Sequence, residues 1–148
     1  MVTGAKKSSS AATAEISFIS NYRIDEEVEM KTAELAGYAL DWVVGKAEGH
    51  RISIYNTGEI YLVDIPWKDK TRIKWIAPWV PSRAWAQGGP LIEREKIAVV
   101  PMAEGWEAQF EDDRIGKVSH GPTPLIAAMR CYAASKLGDE IDVPKELT

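Results

Sequence analysis

A chain of 148 residues, 45% hydrophobic and 27% charged, has the composition of one ordinary globular domain, which excludes a coiled coil and a wholly disordered tail. With 18 basic against 22 acidic side chains the formal charge is −4, the wrong sign for unaided binding to a phosphate backbone, so nucleic acid is a disfavoured partner. The single cysteine, Cys131, permits no internal disulfide, and a domain of this size buries enough surface to hold without one.

Met1 to Glu15 carry Lys6, Lys7 and Ser8 to Ser10 with almost nothing large to bury, which predicts a flexible extension. The stretch is too polar for a secretory signal, and no window nears the roughly 18 apolar residues of a membrane span. Ile16, Phe18 and Tyr22 fall on even positions, a pattern for a short strand or a clinging arm ending near Ile24. The acidic run Asp25, Glu26, Glu27 and Glu29 then separates this arm from Met30, so the expected division is an extension over 1–29 and a folded unit over 30–148.

Thr32 as N-cap, Glu34 in the first turn and Leu35, Ala39, Trp42 and Val43 at helical spacing predict an amphipathic helix that Gly49 ends. Arg51–Tyr55 and Glu59–Ile65 are β-rich runs joined by Asn56, Thr57 and Gly58, a hairpin signature, and Thr71–Ala77 reads as a third strand. Pro78, Pro81, Gly88, Gly89 and Pro90 crowd a window that punctuation alone marks as irregular. Ile97–Met102 and Trp106–Phe110 are strands, with a return expected over Arg114–Ser119. The last helix is the best punctuated: Thr123 as N-cap, Pro124 at N1, Leu125 to Leu137, and Gly138 as C-cap. The order predicts an α+β class, an antiparallel sheet packed by an N-terminal and a C-terminal amphipathic helix.

The irregular window holds the candidate ligand contacts. Trp79 and Trp85 sit among residues that offer little to bury them, so they are candidates for stacking on a ligand or partner, whereas Trp42 and Trp106 lie on periodic faces and are core. Gln87, Gly88 and Gly89 stand beside them, the glycines able to bring backbone amides close to an anion or simply to make a tight turn. Glu93 and Glu95 share a face if the chain is extended there, either as a paired acid and base or as a charge-balanced edge with Arg94 and Lys96. Elsewhere the chemistry is thin. His50 and His120 are far apart and lack metal-ligand spacing, so no metal or cofactor is expected. Cys131 reads as a packing residue inside the last helix, whose capped start leaves no anion site, and Arg130 as an ion-pair partner for Asp41.

Three stretches carry a resemblance: Met30–Val44, Trp85-Ala-Gln-Gly-Gly-Pro-Leu-Ile-Glu-Arg-Glu, and Gly121-Pro-Thr-Pro followed by the helix to Gly138. In this order they resemble the NinX-like family of small temperate-phage proteins, over Met30 to about Pro144. That resemblance implies a phage or prophage origin and action in the host bacterial cytoplasm, without an established catalytic residue. Family members tend to read Ser-Pro-Ser-Thr and then Asn or Asp before the tryptophan; here the stretch is Val80-Pro81-Ser82-Arg83-Ala84.

Three functions fit. The first is a non-catalytic accessory binding protein that contacts a small molecule, a nucleotide signal for instance, or a host defence protein through Trp79, Trp85, Gln87, Gly88, Gly89 and Glu93, with counter-defence as its concrete form. The second is an accessory factor in phage recombination or replication, for which Lys68, Lys70, Arg72 and Lys74 form a basic edge. The third is a small hydrolase using Glu93 and a metal. Homo-oligomers are compatible with all three.

Overall fold

The computed structural model describes residues 26–55, 58–62, 77–112 and 118–148. The arm expected at 16–24, the basic edge Lys68, Lys70, Arg72 and Lys74, all but the last residue of the strand expected over Thr71–Ala77, and most of the return expected over Arg114–Ser119 lie outside these residues.

The described chain runs β1 (Glu27–Lys31), a 3₁₀ turn (Thr32–Glu34), α1 (Gly37–Ala47), β2 (Ile52–Ile54), β3 (Ile60–Leu62), β4 (Ala77–Pro78) and α2 (Trp85–Glu95). It continues with β5 (Ile97–Pro101), β6 (Trp106–Phe110), β7 (Ser119–Gly121), α3 (Pro124–Leu137), β8 (Glu140–Pro144) and a closing 3₁₀ turn (Lys145–Leu147). The class is α+β, as the element order predicts. The single sheet expected from the sequence is divided, among the described residues, into three antiparallel sheets: β1–β8, β2–β3–β4 and β5–β6–β7.

At the centre lies α3. Thr123 accepts the Ile126 N–H at 3.1 Å, Pro124 opens the first turn and Gly138 ends the helix with φ +93°, as expected from the punctuation. Leu125, Ala127, Ala128, Met129, Cys131, Tyr132 and Ala133 are all buried, which leaves it little exposed circumference. On one side it meets the inner face of β5–β6–β7, where Ile97, Ala108 and Phe110 are buried; on the other it meets α1 and α2. Small residues at 127, 128 and 133 let these neighbours approach closely.

Two expectations at the N-terminal end are corrected. Thr32 does not cap α1: its hydroxyl donates to the Gly138 carbonyl and its N–H to the Asp139 carbonyl, so it ties the start of the domain to the end of α3. The helix begins only at Gly37, whose φ of +56° turns the chain into it. Likewise the acidic run does not stay outside the fold. Glu27 to Lys31 pair with Pro144 to Glu140, so the strand starts ahead of Met30. Val28 and Met30 share a face with Ile141 and Val143, and alternation puts Glu27 and Glu29 on the other. Nothing in the sequence marked the partner, because β8 follows α3 without turn residues beyond Gly138.

The irregular window is corrected too. Trp85 to Glu95 form α2, in spite of two glycines and Pro90 within it. Gly88, Leu91 and Glu95 are buried at i, i+3 and i+7, so packing supplies what propensity withholds.

Candidate binding face at Trp85 and Arg83

The path into α2 is set by a buried carboxylate. Asp41 lies on α1 between Leu40 and Trp42 and is fully buried. Its Oδ1 accepts the Ser82 N–H at 2.8 Å and its Oδ2 accepts from the Arg83 guanidinium at 3.2 Å. The Asp41 backbone carbonyl accepts the Trp79 indole N–H at 2.9 Å. Burial pushes the carboxyl above the usual aspartate range, against the Ser82 donor and the Arg83 charge, which favour the ionised form. Residue 41 therefore holds the segment before Trp85 at three points. Arg83 supplies the cation of this clamp. Arg130, the partner expected for Asp41, instead donates to the Leu35 and His120 carbonyls at 2.8 Å each.

Gln87 closes the segment from the other side, accepting the Val80 N–H and donating to the Pro78 carbonyl, both at 2.7 Å. It acts as a brace for the turn. Gly88 is a packing residue: a Cβ there would come within 2.4 Å of the Pro81 carbonyl oxygen and 2.7 Å of Leu125. Neither glycine offers the positive φ of an anion nest.

The two loop tryptophans part company. Trp79 is 6% exposed, packed beside Gly45 with its ring edge-on to His50 at 4.9 Å, so the expectation that it lies open is corrected. Trp85 is 58% exposed, at the first position of α2. Its Cε3 lies 3.8 Å from where a Gly89 side chain would begin, so the ring is not screened by its own helix. Arg83, two residues earlier, is half exposed and stacks over the Tyr38 ring at 4.5 Å.

Glu93 and Glu95 do not share a face. On a helix two residues turn about 200°, so Glu93 is exposed while Glu95 is buried beside Lys136, at 3.2 Å. Between α1, α2 and α3 a second polar knot forms. Arg94 grips Glu48 with two bonds of 2.9 and 2.8 Å, and the Tyr132 hydroxyl donates to the same carboxylate. The Arg94 bonds hold Glu48 below the usual glutamate range, and burial with the Glu48 hydrogen bond pushes the Tyr132 phenol up. Every group in the knot is engaged by another, which suits a staple.

Beyond this region, His120 pairs with Glu107 at 3.1 Å on the open face of β6–β7. Cys131 is buried, and burial pushes its thiol up to about 11. An open cavity of about 300 Å³ lies between β1, β7 and α3, lined by Thr32, Val118, Ser119 and Ala134 among others. It includes none of the candidate ligand contacts Trp79, Trp85, Gln87, Gly88, Gly89 and Glu93. Among the described residues no cluster of His, Cys, Asp and Glu could hold a metal, and no helix is long and apolar enough to cross a membrane.

The sequence singles out Asp41, with Arg130 as its expected partner, but not its role under Ser82 and Arg83, although a carboxylate in the middle of the apolar run Ala39–Val44 is a signal. The Arg83–Tyr38 contact has no signal, since it depends on how α1 and the turn before α2 meet. No curated protein matches the chain. The family model described as bacteriophage P22, NinX matches residues 31–136, well over half of the chain and including α1, α2 and nearly all of α3. The chain belongs to the phage P22 NinX family.

Proposed function

We propose that this phage accessory protein is a non-catalytic binding protein whose contact surface centres on Trp85 and Arg83. The observation that carries this reading is the pairing of an indole 58% exposed with a mount that cannot drift: Asp41 and Gln87 fix the chain on the N-terminal side of Trp85, and Gly88 packs α2 against Pro81 and Leu125. Tryptophan and arginine are the side chains that most often carry binding energy at protein interfaces, and a preorganised anchor loses little entropy on association. With Trp79 in the core, two tryptophans cannot sandwich a base, and a host protein is the better-supported partner than a nucleotide. Counter-defence is the role in which such contact serves a phage.

The test is plating on a defence-competent host. A phage carrying Trp85→Ala, with the protein present at its normal level, should plate as poorly as one lacking the gene. Plating equal to the parent phage would remove Trp85 from the function.

A further inference from the structure

The hairpin beside this mount carries a second surface. In the β2–β3 register Ser53 stands opposite Tyr61 and Ile54 opposite Ile60, so alternation puts Ile52, Ile54, Ile60 and Leu62 on the core side. Ser53, Tyr55, Glu59 and Tyr61 take the other face. The Tyr55 and Tyr61 rings meet edge to face at 4.7 Å, and the Tyr61 hydroxyl donates to Glu59 Oε2 at 3.2 Å. Tyr55 and Glu59 are exposed. Tyr38 adjoins them, its ring 3.8 Å from where a Gly58 side chain would begin, with the Arg83 guanidinium on it.

We propose that the Tyr55–Glu59–Tyr61 face is a docking surface for a protein partner that presents an arginine or lysine side chain to it. Aromatic faces attract a cation placed within about 6 Å of the ring, and a carboxylate at the rim adds a charged acceptor. Glu59 makes no ion pair among the described residues, so that acceptor is open to a partner's cation. The molecule already shows the mode it would offer, since Arg83 lies on the neighbouring Tyr38 at 4.5 Å. Glu59 is an exposed carboxylate on this face, and the Arg83 guanidinium beside it is already matched by Asp41 at 3.2 Å.

This inference rests on the binding-protein reading above and names the chemistry of the partner. The probe is a capped glycine–arginine peptide, titrated into the full chain and followed by fluorine NMR of fluorotyrosine-labelled protein. The expected result is saturable movement of the Tyr55 and Tyr61 signals. Affinity should fall about tenfold in Glu59→Gln and in Tyr55→Ala, and stay unchanged in Met102→Ala, an exposed position after β5 that serves as a folded control. A citrulline peptide that shifts the signals equally would overturn the proposal, as would no shift, preferential binding of a short oligonucleotide, or signals that move with protein concentration alone. If the peptide fails while Trp85→Ala still cripples the phage, this inference falls and the binding-protein reading stands. Peptide binding together with a harmless Trp85→Ala locates the working surface on the hairpin.

Discussion

The Asp41 carboxylate and the Ser82 amide, 41 residues apart in the chain, meet at 2.8 Å in the interior. Removing the acceptor strands a buried N–H, so Asp41→Ala should destabilise the fold by about 1–3 kcal/mol in denaturant titration. Asp41→Asn should fall between the two, because an amide oxygen still accepts from Ser82 while the half-exposed Arg83 loses only a screened partner. The pH dependence separates charge from geometry. Because burial raises the Asp41 pKa in the folded state, folding takes up a proton in the interval above about 4. The contribution of Asp41 is therefore fully present below that value and declines as pH rises through the folded pKa. Asp41→Asn should flatten this part of the stability profile, and an unchanged profile would show that the burial cost is absent.

Glu48 has the opposite sign. Arg94 lowers its folded pKa, so its contribution is present above the ordinary glutamate value and is lost as pH falls through the folded one. Glu48→Gln should reduce the acid sensitivity of the protein. Tyr132→Phe keeps the packing of a side chain 1% exposed and deletes one donor, for a cost of about 1 kcal/mol. Arg94→Lys should cost more than its conserved charge suggests, because an ammonium cannot reproduce the two-pronged bond to Glu48. A double-mutant cycle over Glu48 and Arg94 measures the coupling, and a value near zero would reduce the knot to surface decoration.

Much of the fold was legible from local signals. Thr123, Pro124 and Gly138 fix the limits of α3, a short apolar run marks β5 and alternation marks β6, because each rule acts over a few residues. Long-range substitutes for local rules were not legible. Thr32 resembles an N-cap and spends its hydroxyl on Gly138 instead, 106 residues away. In the same way α2 has no side-chain cap on Ala84 and contains Pro90, so propensity argues against a helix that Pro81 and Leu125 impose by packing. The candidate site divides along the same line. Trp85 is exposed, as its Pro/Gly surroundings suggest, while the burial of Trp79 depends on Gly45 and His50, which sequence proximity does not reveal.

Cys131 is the lone thiol of the chain, and its burial keeps it protonated, with a pKa pushed up to about 11. Thiolate is the reacting species, so the folded protein should react with a disulfide reagent at pH 8 far more slowly than a free thiol does. The rate should rise to the free value in denaturant, tracking global unfolding. Fast labelling of the native protein would mean that α3 opens locally.

Opposite effects are expected from two substitutions two residues apart in α2. Alanine is a better helix former than glycine by about 1 kcal/mol, yet Gly88→Ala should destabilise, because the new methyl would sit 2.4 Å from the Pro81 carbonyl oxygen. Backbone cannot step aside as a flexible side chain can, and overpacking of this kind costs about 1–3 kcal/mol. Pro90 is exposed and lacks the N–H that would bond to the Ala86 carbonyl one turn earlier. Pro90→Ala should restore that bond. Set against a mid-helix proline penalty of about 3 kcal/mol, the freedom regained by the unfolded chain is at most about 1 kcal/mol, which leaves a net gain of about 2–3 kcal/mol. Thermal unfolding of the two variants gives the signs directly. A destabilised Pro90→Ala would mean that the proline shapes the exposed first turn, and with it the presentation of Trp85.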